Sequence, residues 1–163
     1  VGPCAVTLDP AEFHCGTLIA PMTRTAGDAR VVRLPFAIYK PFPSTSKRSA
    51  ITLLAGGPGF TTVGSAGPIG PTFAPLGRDV VFLERRGTGF AEPSLACPSG
   101  TRLANHDWDL KKVKACANSF RRQNIDLDAF VSRQAAADLE DLRLLLGYDQ
   151  WDIVGVSSGS SLA

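Results

Sequence analysis

Residues Gly155-Val156-Ser157-Ser158-Gly159 follow the mainly apolar run Trp151-Asp152-Ile153-Val154, and a serine between glycines at the end of a strand is placed for nucleophilic attack. In a Gly-x-Ser-x-Gly turn between strand and helix the backbone bends so tightly that larger neighbours would collide, and the serine hydroxyl is left exposed. Ser157 is therefore the candidate nucleophile. Acyl transfer at a serine also needs donors for the oxyanion that forms on the attacked carbonyl. Two backbone N–H groups are assigned that role: Gly57, within Ala55-Gly56-Gly57-Pro58-Gly59, and Ser158, next to the nucleophile. On its own Gly-Gly-Pro-Gly reads as a turn. Its second reading comes from its place after the apolar run Ala50 to Leu54 and upstream of the serine.

A third segment, Glu84-Arg85-Arg86-Gly87-Thr88-Gly89, also follows an apolar run, Asp79 to Leu83. Its Gly-x-Gly invites a dinucleotide reading, but Glu92 occupies the third glycine position and would repel a pyrophosphate, so that reading is rejected. Glu84 and Arg86 are expected to form an internal ion pair that holds the loop. The two histidines, His14 and His106, both precede Ser157, and neither is expected to serve as its base. Asp149 and Asp152 also precede it and are expected to shape the turn into the last strand.

The elements that must position these residues can be read from periodicity. The stretches around Thr17 to Pro21 and Arg30 to Tyr39 are β-rich and separated by a turn at Gly27-Asp28, which predicts an early hairpin. Ala50 to Leu54 and Asp79 to Leu83 suit strands buried on both faces. Residues Gly56 to Gly77 are rich in glycine and proline and are expected to be mainly loop. Leu110, Val113, Ala117 and Phe120 recur at helical spacing from Asp109 to Arg122. Ala135, Leu139, Leu142 and Leu146 mark a second amphipathic helix from Ser132, with Ser132 as cap candidate and Gly147 as C-cap. Its outer face is assigned Arg133, Asp138, Glu140, Asp141 and Arg143. Strand, helix and strand in this order predict a largely parallel α/β sheet with right-handed crossovers.

Taken together, Gly56-Gly57-Pro58-Gly59, Leu83 to Gly89 with Pro93 and Cys97, the helix Ala137 to Arg143 and the serine turn resemble the α/β-hydrolase family of proline iminopeptidases and tripeptidyl aminopeptidases. Cys4 and Cys15 ahead of Pro21 resemble that family's N-terminal cysteine pair. Three positions depart from its pattern: Ala55 stands for a histidine, Glu84 for an aspartate, and Ser158 for a tyrosine or tryptophan. The resemblance implies a serine hydrolase that cleaves peptide or amide bonds through an acyl-enzyme, aminopeptidase-like, with a carboxylesterase or a noncatalytic binding protein on the same scaffold as alternatives. It implies that Asp or Glu and His follow the serine in chain order, so neither is expected within this chain. The expected fold is the N-terminal part of an α/β-hydrolase domain, mostly parallel with an antiparallel N-terminal hairpin. Residues 1–49 form the β-rich entry, residues 50–163 the βα units up to the serine turn, and the cap and C-terminal part lie elsewhere, as a second chain of the same precursor or as sequence left out.

Composition narrows the partners. Of 163 residues 44% are hydrophobic and 20% charged, with a formal net charge of +2, which supports one globular core and gives no electrostatic footprint for nucleic acid. No apolar stretch approaches the roughly 20 residues that span a bilayer. The chain begins at Val1 without an initiator methionine, as a mature or trimmed protein would. Four cysteines without a C-x-x-C allow three pairings. The local pairs Cys4 with Cys15 and Cys97 with Cys116 are favoured, four buried thiols being the alternative, and disulfides would imply a periplasmic or secreted protein. The expected ligand is a peptide or small amide or ester substrate, with no cofactor and no metal.

Overall fold

The computed structural model describes residues 2–43, 46–57, 59–98 and 107–163. Pro58 and His106 lie outside them. Five strands, β1 (Phe13–Pro21), β2 (Val31–Tyr39), β3 (Ser46–Leu54), β4 (Arg78–Leu83) and β5 (Gln150–Gly155), form one sheet in the order β1-β2-β4-β3-β5. β1 and β2 make the expected antiparallel hairpin, β2 runs antiparallel to β4, and β4 with β3 and β3 with β5 are parallel. Among the described residues no helix is long and apolar enough to cross a membrane.

β4 shows why this sheet needs cover on both sides. Its successive side chains point to opposite faces, so Val81 and Leu83 join one core with Leu34, Leu139 and Leu142, while Val80 and Phe82 join another with Phe13, Tyr39 and Val63. The first face is covered by α3 (Ser132–Leu146), whose Ala135, Leu139 and Leu142 are buried as the periodicity requires. The second is covered by residues expected to be loop. Val63–Ser65 and Gly70–Leu76 are 3-10 turns flanking α1 (Ala66–Ile69), and Val63, Ala66, Ile69 and Phe73 pack inward. Their spacing of three or four residues matches tight helical turns. Gly77, at φ +61, then reverses the chain into β4.

α3 differs from expectation at two points. Ser132 is its first helical residue rather than its cap, the cap position being Val131 without a side-chain bond, while Gly147 closes the C-terminus at φ +74 as expected. Asp138, assigned to the outer face, is instead buried. The Arg86 guanidinium grips it with two bonds, Nε to Oδ2 at 2.7 Å and Nη2 to Oδ1 at 2.6 Å, and also donates to the carbonyls of Met22, Ala129 and Pro21. Arg86 therefore does not pair with Glu84. Arg24 reaches Asp138 from the solvent side.

Both disulfides form as expected, Cys4–Cys15 and Cys97–Cys116. The second ties α2 (Leu110–Arg122) to the loop beyond β4. Asp109 caps α2 by accepting from Lys111 N and Lys112 N. The apolar stripe of α2 is only partly covered: Cys116 is buried, but Leu110 is 67% exposed. β5 lies at the sheet edge with Ile153 exposed, and Leu144 and Leu145 on α3 are exposed as well. Asp149 pairs with Arg48 and Asp152 with Arg78, so both aspartates fasten the start of β5 to its neighbours.

Removing one partner of a buried ion pair leaves the other charge uncompensated, at a cost of about 3–5 kcal/mol. Asp138→Ala should lose that much in urea-induced unfolding. A second expectation concerns Tyr148, whose hydroxyl donates to Asp79 Oδ2 at 2.5 Å. Burial, reinforced by the Asp79 carboxylate, pushes its phenol above the ordinary range. A group whose folded-state pKa is raised contributes stability that is present below its ordinary value and lost as pH rises toward the folded one. In a Tyr39→Phe variant, absorbance at 295 nm should therefore show phenolate forming only above about pH 10, and together with unfolding.

Candidate active site

β3, β4 and β5 run parallel, so their carboxyl ends deliver Gly56-Gly57, Glu84 to Gly89 and Ser157 to the same edge of the sheet. That edge is where open α/β sheets bind ligands. The three segments singled out by sequence are thus brought together.

The turn at Ser157 is built by contacts that exclude side chains. Val156 is extended and its N–H donates to Leu54 O. Ser157 then takes φ +51 and begins a 3-10 turn, Ser157–Ser161. Positive φ is uncommon for a residue with a Cβ, and it persists only where the surroundings enforce it. Here the enforcement can be read atom by atom. A Cβ on Gly155 would stand 2.6 Å from Ser160 Cα, and one on Gly159 would stand 2.1 Å from Leu54 O. Ser160 Oγ also donates to Ser157 O at 2.5 Å. The result is an exposed Ser157 side chain on a clamped backbone.

Gly56 lies against this turn: a Cβ there would be 2.8 Å from Val156 O and 2.9 Å from Ser157 Cβ. Gly57 follows at φ +66. Among the described residues neither the Gly57 nor the Ser158 N–H donates to a backbone carbonyl, and Ser158 sits in the first turn of its helix, where N–H groups lack intrahelical partners. The Ser158 Oγ is buried without a hydrogen-bond partner among the described residues.

Glu84 has a role that sequence reasoning missed. It is fully buried and its carboxylate accepts from Thr61 Oγ1 at 2.5 Å, Thr62 N at 3.0 Å and Thr88 Oγ1 at 3.1 Å. It therefore ties the end of β4 to the chain leaving the Gly56 to Gly59 turn. Gly87-x-Gly89 serves this arrangement rather than a phosphate. Gly89, at φ +47, passes so close that a Cβ would lie 2.6 Å from Glu84 Oε2. The sequence signal was available in Thr61-Thr62, two hydroxyl residues just after the glycines.

His14 cannot reach this edge. It lies on β1, opposite Ile38, which pairs in turn with Val81 in the middle of β4. Four inter-strand spacings, about 19 Å, separate β1 from β5 across the sheet.

A small cavity of about 20 Å³ lies beneath the turn, between Leu54, Glu84, Arg85, Gly159 and Leu162. Beside it opens a groove of about 880 Å³ that includes Gly59, Arg85 and Trp108 in its lining.

Residues 50–163 match the family described as "alpha/beta hydrolase fold". Among solved structures the chain is similar to a candidate epoxide hydrolase from Pseudomonas aeruginosa, at 18% identity and a TM-score of 0.50, covering 99% of this chain and 37% of that one. It is also similar to a bromoperoxidase from Bacillus anthracis, at 15% identity and a TM-score of 0.48, covering 90% of this chain and 37% of that one. The chain thus spans 37% of the length of either structure. No curated protein matches it.

If the glycines are required by these contacts, Gly159→Ala must displace the Leu54 carbonyl. Overpacking of this kind costs about 1–3 kcal/mol. The variant should show a loss in that range by chemical denaturation, whereas Gly27→Ala, which meets no atom within 4 Å, should show only the smaller cost of its positive φ.

Proposed function

The chain belongs to the alpha/beta hydrolase family, and on that premise we propose that Ser157 is the nucleophile of a serine hydrolase acting through an acyl-enzyme. The observation that carries this reading is the backbone of Ser157 at φ +51, on the carboxyl edge and against the Gly56-Gly57 turn. Ser157 Oγ attacks the substrate carbonyl carbon as a base removes its proton. The carbonyl π electrons move to oxygen, and the N–H groups of Gly57 and Ser158 hold that oxyanion. Its collapse expels an amine or alcohol, which takes the proton from the base, and water then releases the acyl group by the reverse sequence. Removing one such donor typically costs about 3 kcal/mol in the barrier.

The base and its acid are assigned to a histidine and a carboxylate outside these residues. Residues 1–163 then act as the N-terminal part of one catalytic domain, completed by a C-terminal part that packs along the exposed edge of β5. Peptide or amide bonds are the favoured substrates, aminopeptidase-like, which rests on the motifs from Gly56 to Gly59 and from Leu83 to Gly89. The two disulfides support a secreted or periplasmic location.

A fluorophosphonate probe applied to the complete protein should label Ser157. Ser157→Ala should abolish the label and lower kcat by at least about a thousandfold. A folded protein that resists labelling, or one labelled at another residue, would overturn the proposal.

A further inference from the structure

Arg85 stands between two charged neighbours whose bonding capacity is already used. Glu84 is held by Thr61, Thr62 and Thr88, and Arg86 by Asp138 and three carbonyls. Arg85 itself enters no ion pair among the described residues. It is half-buried and lines both the small cavity beneath the serine turn and the large groove beside it.

The groove walls are apolar. Leu95, Trp108, Leu110, Val113, Phe130 and Val131 line it, and the Cys97–Cys116 bridge joins the loop on one side to α2 on the other. Trp108 is 59% and Leu110 67% exposed, and both line this groove. At about 880 Å³ the groove falls in the size range of small-molecule sites, which combine apolar walls with a few placed polar groups. Gly59 lines the groove and Gly159 the small cavity, so Arg85 lies between the groove and the serine turn.

We propose that this groove binds an apolar group bearing a carboxylate, with the Arg85 guanidinium as the receiving cation. A guanidinium matches a carboxylate through two parallel N–H bonds. One uncommitted arginine among apolar walls suits a monoanion, whereas a phosphate dianion calls for more donors. Neither nearby acid forms an ion pair with this cation among the described residues: the Glu84 oxygens accept from Thr61, Thr62 and Thr88, and Asp138 pairs with Arg86 and Arg24. Resting on the Ser157 reading, the inference makes the substrates anionic amides or esters, with the carboxylate held beyond the scissile bond.

Binding can be read without turnover. In the complete protein carrying Trp151→Phe, Trp108 fluorescence is titrated with 4-phenylbutyrate and with its neutral counterpart 4-phenylbutyramide. The carboxylate should bind about tenfold more tightly. Arg85→Gln should bring the ratio of the two affinities close to one, and Arg85→Lys should retain part of it, with circular dichroism confirming that each variant is folded. Equal affinities in the parent, a ratio that survives Arg85→Gln, or no response to either ligand would each overturn the proposal. Failure of Ser157 labelling would remove the hydrolase and leave this site standing, so the two outcomes are separable.

Discussion

The grip of Arg86 on Asp138 organises the structure around the site. Arg86 leaves the end of β4, Asp138 comes from the middle of α3, and the same guanidinium collects the carbonyls of Pro21 and Met22 at the end of β1 and of Ala129 ahead of α3. Three regions far apart in sequence, at residues 21–22, 86 and 129–138, converge on one planar group. Burying two charges is expensive, and such pairs add little net stability over an apolar substitute; their attested value is in fixing one arrangement among several. Here the arrangement is the seat of α3 on the sheet. α3 leads through Gly147 into β5, so the seat also sets where the serine turn emerges.

A second buried carboxylate works by a different physical route. Glu84 meets no cation within salt-bridge distance among the described residues and is stabilised by hydroxyl and backbone donors instead. Charge-assisted hydrogen bonds of this kind are short and directional. They hold the segment after Gly59 against the end of β4. Glu84 and Arg86, two residues apart in sequence, thus serve opposite sides of the same loop.

The local features were legible in sequence because their causes are local. Gly-x-Ser-x-Gly, the hairpin, the strands β3 and β4 and the Gly147 cap each depend on neighbours within a few residues. The partner of Arg86 was missed because it lies 52 residues away and because charged residues on α3 were read as solvent-facing. Helical arithmetic contained the correction. Positions 135, 138, 139 and 142 follow the i, i+3, i+4, i+7 stripe, so Asp138 falls among the residues that face the core. Between Gly56 and Gly77 the density of glycine and proline masked apolar spacing near three, the period of a 3-10 helix rather than of an α-helix or strand. α2 buries Cys116 and is bridged to the loop beyond β4, while Leu110 at its start is exposed.

The positive φ of Ser157 acts as a filter on the side chains this turn can hold. A left-handed backbone admits short, unbranched polar side chains, with aspartate and asparagine tolerated best, while a β-branched residue there is a true outlier. Threonine, the nearest chemical relative of serine, is therefore shut out by geometry before reactivity is tested. Cysteine and aspartate are not. The backbone thus admits cysteine or aspartate in place of serine by exchanging one side chain while the glycine contacts stay in place.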